Sequence, residues 1–319
     1  MKNIKSIADR LVDRASEIII GKPDQLRLAT AAIFSGGHIL FDDLPGTGKT
    51  TLVKVLSRIL GCTFARVQFT PDLLPTDIIG MNVFNQKTGE FELKQGPIIT
   101  HVFLADEINR AIPRTQSALL EAMEELQVTI DSKTYPLPTP FLVMATQNAV
   151  EMESTFHLPI AQMDRFLMRL SLGYLSHDDE ITMLRTVGDE LPLESVDSLL
   201  SPVEISEIQK QIRNVHVSES VLGYIVDLAD MSRRSDYLRL PVGPRGSRAL
   251  YRAGKAWAAM NGRGFVIPDD VKELAPHVLS HRVLLSNEAR LNKKTERDVI
   301  WEILTAVPAP MSKEEILHG

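Results

Sequence analysis

The chain has 319 residues and a formal net charge of −6; 44% of its residues are apolar and 24% charged, which excludes disordered, collagen-like and coiled-coil classes. That length suits two modest domains, and the acidic balance argues against a dedicated nucleic-acid binder, which carries a basic face. A single cysteine, Cys62, permits no intrachain disulfide and fits a reducing compartment. It follows Gly61 with no histidine near it in sequence, so it reads as a small core residue and not as a nucleophile.

In chain order, Ile4, Ile7, Leu11, Ala15 and Ile18 fall three or four apart. That spacing predicts an amphipathic helix, not the continuous apolar stretch of a signal peptide. No segment approaches the ~18 apolar residues needed to span a bilayer. A cytoplasmic protein is expected, without direct membrane insertion. Short apolar runs at 38–41, 64–69, 102–105, 141–146 and 170–172 read as strands buried on both faces. Helical patterns, such as 51–60 and 114–125, lie between them. This alternation predicts a parallel five-stranded α/β sheet flanked by helices over residues 1–190. The proline-flanked polar stretch LPLESVDSLLSP marks a linker over 191–203. Segments at 205–212, 220–232, 247–260 and 269–279 are helical, and Pro268 followed by Asp269 and Asp270 makes a good helix start. A small all-helical domain is therefore expected over 204–319.

The strongest chemical signal is LPGTGKTT, residues Leu44, Pro45, Gly46, Thr47, Gly48, Lys49, Thr50 and Thr51, between the strand HILFDD and a helix. Phosphates need converging backbone N–H groups, and glycines let the chain turn tightly enough to present them. Lys49 then reaches the β- and γ-phosphates, and the Thr50 hydroxyl ligates Mg²⁺. The general P-loop pattern has glycine at position 43; this chain has Asp43. HVFLADEINR places Asp106 and Glu107 at a strand end, 57 residues after Lys49 (106 − 49). Asp106 suits a metal held through water, and Glu107 suits a general base. In FLVMATQN, Asn148 could position the attacking water or simply make a strand-end turn. Arg165 and Arg245, the latter just before a helix, read equally well as surface arginines, with Arg248 and Arg252 on one solvated face.

With these stretches together, namely IIIGKPDQ, HILFDDLPGTGKT, VQFTPDLLPTDIIG, KTGEFELKQGPI, LADEINRAIPRTQSALLEAMEE, YPLPTPFLVMATQN, LPIAQMDRFLMRL and VGPRGSRALYRAGKAW, nearly the whole chain resembles the MoxR family of AAA+ ATPases. Two departures, Gly243 before Pro244-Arg245 and Ala149 after Asn148, leave the charged or amide group in place. The resemblance implies an AAA+ P-loop domain followed by a helical lid. It implies Asn148 as sensor 1, Arg165 as the arginine finger on the neighbouring subunit's site, and Arg245 as sensor 2 on its own subunit's phosphates. Gly21 then belongs to the segment flanking the adenine. Two hairpins near the ring pore are implied in VFNQKTGEFEL, turning at Thr88-Gly89, and QVTIDSKTYPL, turning at Ser132-Lys133; both also read as plain hairpins.

The expected function is Mg²⁺-dependent hydrolysis of ATP to ADP by a homo-oligomeric ring, a hexamer. Hydrolysis would move the lid against the core to remodel, or insert metal into, a protein client, with a von Willebrand factor A domain protein as a separate partner chain. A nucleic-acid motor would want a basic pore, and the hairpins set Lys87, Lys94 and Lys133 beside Glu90, Glu92 and Asp131. The other alternative is a nucleotide-gated binding module with little turnover.

Overall fold

The computed structural model describes residues 2–148, 156, 158–186 and 196–310. In chain order the first part contains α1 (Lys2–Ser16), α2 (Pro23–Phe34), β1 (Ile39–Asp43), α3 (Lys49–Ile59), β2 (Phe64–Gln68), α4 (Pro75–Ile79), β3 (Gly80–Asn85), β4 (Glu90–Gln95), β5 (Val102–Asp106), α5 (Pro113–Glu125), β6 (Gln127–Ile130), β7 (Lys133–Pro136), β8 (Leu142–Asn148), α6 (Ile160–Met163), β9 (Met168–Leu170) and α7 (His177–Thr186). The second contains α8 (Pro202–Arg213), α9 (Glu219–Arg233), β10 (Leu238–Leu240), α10 (Pro244–Met260), α11 (Pro268–Leu279), β11 (Leu284–Leu285), α12 (Asn287–Leu291) and α13 (Glu296–Ala306).

The central sheet has strand order β2-β5-β8-β1-β9, all parallel. β5 is buried at every position, as a central parallel strand covered on both faces must be. Successive residues go to opposite faces. Ile39 and Phe41, Val102 and Leu104, Leu142 and Met144 join a core shared with α1, α2, α3 and the second domain. Leu40, Phe103, Ala105, Val143 and Ala145 join a separate core under α5 and the hairpins. The second domain is thus not a satellite: Leu250, Ala253 and Leu274 belong to the same apolar cluster as one face of the sheet.

Local chemistry explains several boundaries. Ser201 caps α8 in a capping box with Glu204, so the helix begins inside the expected 191–203 linker, whose residues 191–195 lie outside the described residues. Proline occupies the first turn of α2, α5, α8, α10 and α11. Cys62 is partly covered, and burial pushes its thiol up to about 11, as a core cysteine requires.

Three details differ from the sequence reading. The last strand of the sheet lies at Met168–Leu170 and not at 170–172, because Leu172 N–H is taken by a side chain of β1. The helical domain also carries a two-stranded antiparallel ladder, β10 with β11; strands this short leave no alternation to detect. The second hairpin turns at Asp131-Ser132, and Lys133 already belongs to β7. A two-residue hairpin loop of this hand needs positive φ at both central positions, and Asp131 (46°) and Ser132 (67°) supply it. The first hairpin turns through Thr88 and Gly89, the glycine at φ 72°.

Candidate active site

The C-terminal ends of β2, β5, β8 and β1 lie side by side, with Gln68 opposite Asp106 and Asp43 opposite Asn148. In an open parallel sheet this edge is where ligands bind. A cleft of about 390 Å³ opens there, lined by Pro45 through Thr51, Arg66, Gln68, Asp106, Glu107 and Thr146 through Asn148.

The loop from β1 to α3 turns through Gly46 (φ 78°) and Gly48 (φ 85°), a conformation that costs side-chain-bearing residues heavily. Asp43 explains the departure from glycine at its position. One carboxylate oxygen accepts Leu44 N–H at 2.8 Å; the other accepts Leu172 N–H at 2.6 Å and Gly173 N–H at 2.8 Å. The buried carboxylate therefore ties the start of the loop to the chain leaving β9. Lys49 begins α3, and its Nζ donates to the carbonyls of Asp43 (3.1 Å) and Leu44 (2.6 Å). Burial lowers its pKa, against the pull of Asp43 and Asp106.

Thr50 Oγ1 donates to Asp106 Oδ2 at 3.3 Å, so the hydroxyl and the carboxylate face each other at the foot of the loop. Asp106 is further held by Thr146 Oγ1 at 2.6 Å and by Arg66 at 2.7 and 2.9 Å. Glu107 sits at φ 55°, a strained setting for a residue with a side chain. Its N–H donates to Thr146 Oγ1 (2.8 Å), and its Oε2 accepts from Gln68 (2.6 Å) and Arg110 (2.9 Å). Asn148, nearly buried, closes the row. Arg66, Gln68, Arg110 and Thr146 are additions that sequence reasoning missed; the one available signal was that Thr146 and Asn148 share a strand face.

Beside the cleft lies a more apolar chamber of about 320 Å³. Its walls include Ile18 to Ile20 and Lys22, on either side of Gly21, and Tyr174, Leu175 and Met183 on the other side, with Gly46 to Gly48 and Thr51 shared with the loop. Gly21 has φ 71°, and a Cβ there would meet the Asp179 carboxyl at 2.6 Å. Lys22 Nζ donates to Tyr174 O at 2.8 Å, fastening the two walls.

Arg165 and Arg245 line neither cavity. Arg245 was expected on its own subunit's phosphates; instead both arginines converge on a different pocket, between core and helical domain, with Glu124, Asp164, Arg248, Arg252 and Arg282. Where α10 docks on the core decides this, and α10 packs on α1 and α2.

The family described as "ATPase family associated with various cellular activities (AAA)" matches residues 38–168, and the AAA lid domain matches 231–303. The chain is 42% identical to YeaC of Bacillus subtilis, an uncharacterised protein, over 99% of this chain and 98% of YeaC. It is 37% identical to Chaperone MoxR1 of Mycobacterium tuberculosis, over 95% of this chain and 82% of that protein. A crystal structure from Cytophaga hutchinsonii described as a candidate ATPase superposes with a TM-score of 0.89 at 38% identity, covering 97% of this chain and 96% of the other. With the AAA core and lid in order and near-full-length likeness to a MoxR protein, the chain belongs to the MoxR family of AAA+ ATPases.

Proposed function

We propose that the cleft at the sheet edge binds Mg²⁺·ATP and hydrolyses it to ADP. One observation carries the reading: the P-loop, Asp106, Glu107 and Asn148 line a single cleft. Lys49 leaves the loop carbonyls to meet the β- and γ-phosphates. Thr50 and Asp106 would hold the metal, a donor pair that fits an ion reluctant to shed its waters. When bound, Mg²⁺ neutralises charge on the phosphates. Both hydrogen bonds to Glu107 fall on Oε2, which leaves Oε1 to accept from the attacking water as general base. Asn148 orients that water. The apolar chamber, with Gly21 in its wall turn, takes the adenosine.

The working unit is a homo-oligomeric ring, a hexamer, in which Arg165 and Arg245 both serve the neighbour's nucleotide. Their place in the lining of a pocket other than their own cleft supports this. The client is a protein, remodelled or loaded with metal, alongside a separate von Willebrand factor A domain partner; the name of Chaperone MoxR1 supports the chaperone part. Exposed Val83, Phe84 and Phe91 on the β3–β4 hairpin favour a protein client over nucleic acid. Residues 1–190 form the motor core, 191–203 the linker and 204–319 the lid. Among the described residues no helix is long and apolar enough to cross a membrane, and the ring works in the cytoplasm.

Steady-state phosphate release and calorimetry test the core of this reading. Lys49→Ala should lose most ATP affinity because a charge contact in a partly desolvated site is removed. Unchanged affinity would overturn the P-loop assignment, and no turnover by the parent chain would favour the binding-module reading.

A further inference from the structure

The pocket that holds Arg165 and Arg245 is organised around one carboxylate. Glu124 stands in the last turn of α5. Its Oε2 lies 3.2 Å from Arg165 Nη2, and its Oε1 lies 2.5 Å from Arg245 Nη2. Each oxygen thus serves one of the two arginines, one from the core and one from the lid.

Charges alternate onward from there. Asp164 lies 3.6 Å from Arg245 Nη1 and 2.9 Å from Arg282 Nε, the latter a close ion pair without hydrogen-bond alignment. Arg282 is the fixed end. It is buried, and it donates to the carbonyls of Asp164 (3.2 Å), Phe166 (2.6 Å) and Val278. The order Arg165, Glu124, Arg245, Asp164, Arg282 therefore runs from the partly exposed pair to a buried anchor.

Glu124 is placed against local preference. A carboxylate in the last turn of a helix faces the negative end of its dipole, and α5 has no basic residue in that turn. Glu121 and Glu125 stand nearby in sequence. A residue that breaks a local rule while bridging two cations has its reason in the tertiary site. Arg165 adds a second sign: its Nε–H is buried and has no acceptor among the described residues. Such a group is not satisfied where it rests.

We propose that Glu124 is the positioning residue that holds Arg165 and Arg245 as one unit, presented to the triphosphate of a second copy of this chain. The inference rests on the shared-site reading above. Glu124 acts in the subunit that donates the arginines, and it does not line that subunit's own nucleotide cleft. Without its charge the two guanidiniums repel each other and lose a common register. The phosphate then meets at most one of them in place.

The test mixes full-length variants after subunit exchange is confirmed by native mass spectrometry. Glu124→Gln keeps the side-chain shape and should bind ATP like the parent. Its kcat should fall about 10- to 100-fold, the scale of a misplaced reacting group. Arg165→Ala with Glu107→Gln is the control. Each such ring has some sites with an intact Glu107 from one copy and an intact Arg165 from the next. At equal mixing about one interface in four is complete, by random placement around a closed ring. Glu124→Gln should recover activity to that same level with Glu107→Gln, and should stay at the level of its parts with Arg165→Ala. Recovery with Arg165→Ala instead would place Glu124 in its own subunit's site and overturn the proposal. Parental kcat for Glu124→Gln alone would also overturn it. A control mixture that stays inactive refutes the shared site itself, and with it this role for Glu124. A Glu124→Gln chain that fails to bind ATP overturns the proposal in favour of a structural role.

Discussion

Replacing Asp43 by asparagine takes one charge and one acceptor from a carboxylate that holds three backbone N–H groups at 2.6–2.8 Å. The best rotamer keeps the amide oxygen on Leu172 and Gly173 and turns the NH₂ toward Leu44 N–H. Two bonds then drop from charge-assisted to neutral strength, losing about 1 kcal/mol each, and the part-buried Leu44 N–H loses its acceptor at about 1 kcal/mol, the low end for an unsatisfied donor. The expected loss is about 3 kcal/mol. The same change loosens the start of the P-loop from the chain leading to Tyr174 and Leu175, which wall the adjoining chamber. ATP affinity should therefore fall about tenfold, the equivalent of 1.4 kcal/mol. Urea unfolding of parent and variant at pH 7 reads the first effect, and titration calorimetry reads the second. A shift below about 1 kcal/mol with unchanged ATP affinity would show that Asp43 is not a tie between these segments, since the three losses together exceed that.

Glu107→Gln should retain ATP and slow hydrolysis by ~10²–10⁴-fold, the usual contribution of a general base; turnover at the parent rate would remove Glu107 from that role. Phe91→Ala, at a residue 72% exposed but edge-to-face with Phe84, should cost about 0.5–1.5 kcal/mol of stability and leave ATPase activity intact while impairing client remodelling. Loss of ATP binding in that variant would make the hairpin part of the core. Burial lowers the His38 imidazole to about 4, and its ring bridges Val143 N–H and Met123 O in neutral form. The unfolded imidazole titrates near 6.5, so between these values the unfolded chain binds more protons and stability is lost as pH falls, by about 2 kcal/mol at pH 5 from His38 alone. Equal urea midpoints at pH 7 and pH 5 would contradict this.

Much of the fold was legible in the amino-acid order because it rests on short-range rules. Five apolar runs between helical patterns dictate a parallel sheet, and PGTGKT dictates a loop with two positive-φ glycines. Asp106, Glu107 and Asn148 end strands, so their meeting at one sheet edge follows from parallel pairing alone. The tertiary structure alone decided matters that depend on partners far away in sequence. Asp43 looked like a missing glycine, and its purpose appears only where Leu172 and Gly173, some 130 residues on, bring two N–H groups to it. Thr146 looked like strand filler until β5 and β8 paired and set it between Asp106 and Glu107. Arg245 begins a helix whichever way the lid docks. Only the burial of α10 against α1 and α2 carries it away from its own P-loop to Glu124, because a helix's local pattern sets its apolar face but not the body it is pressed against.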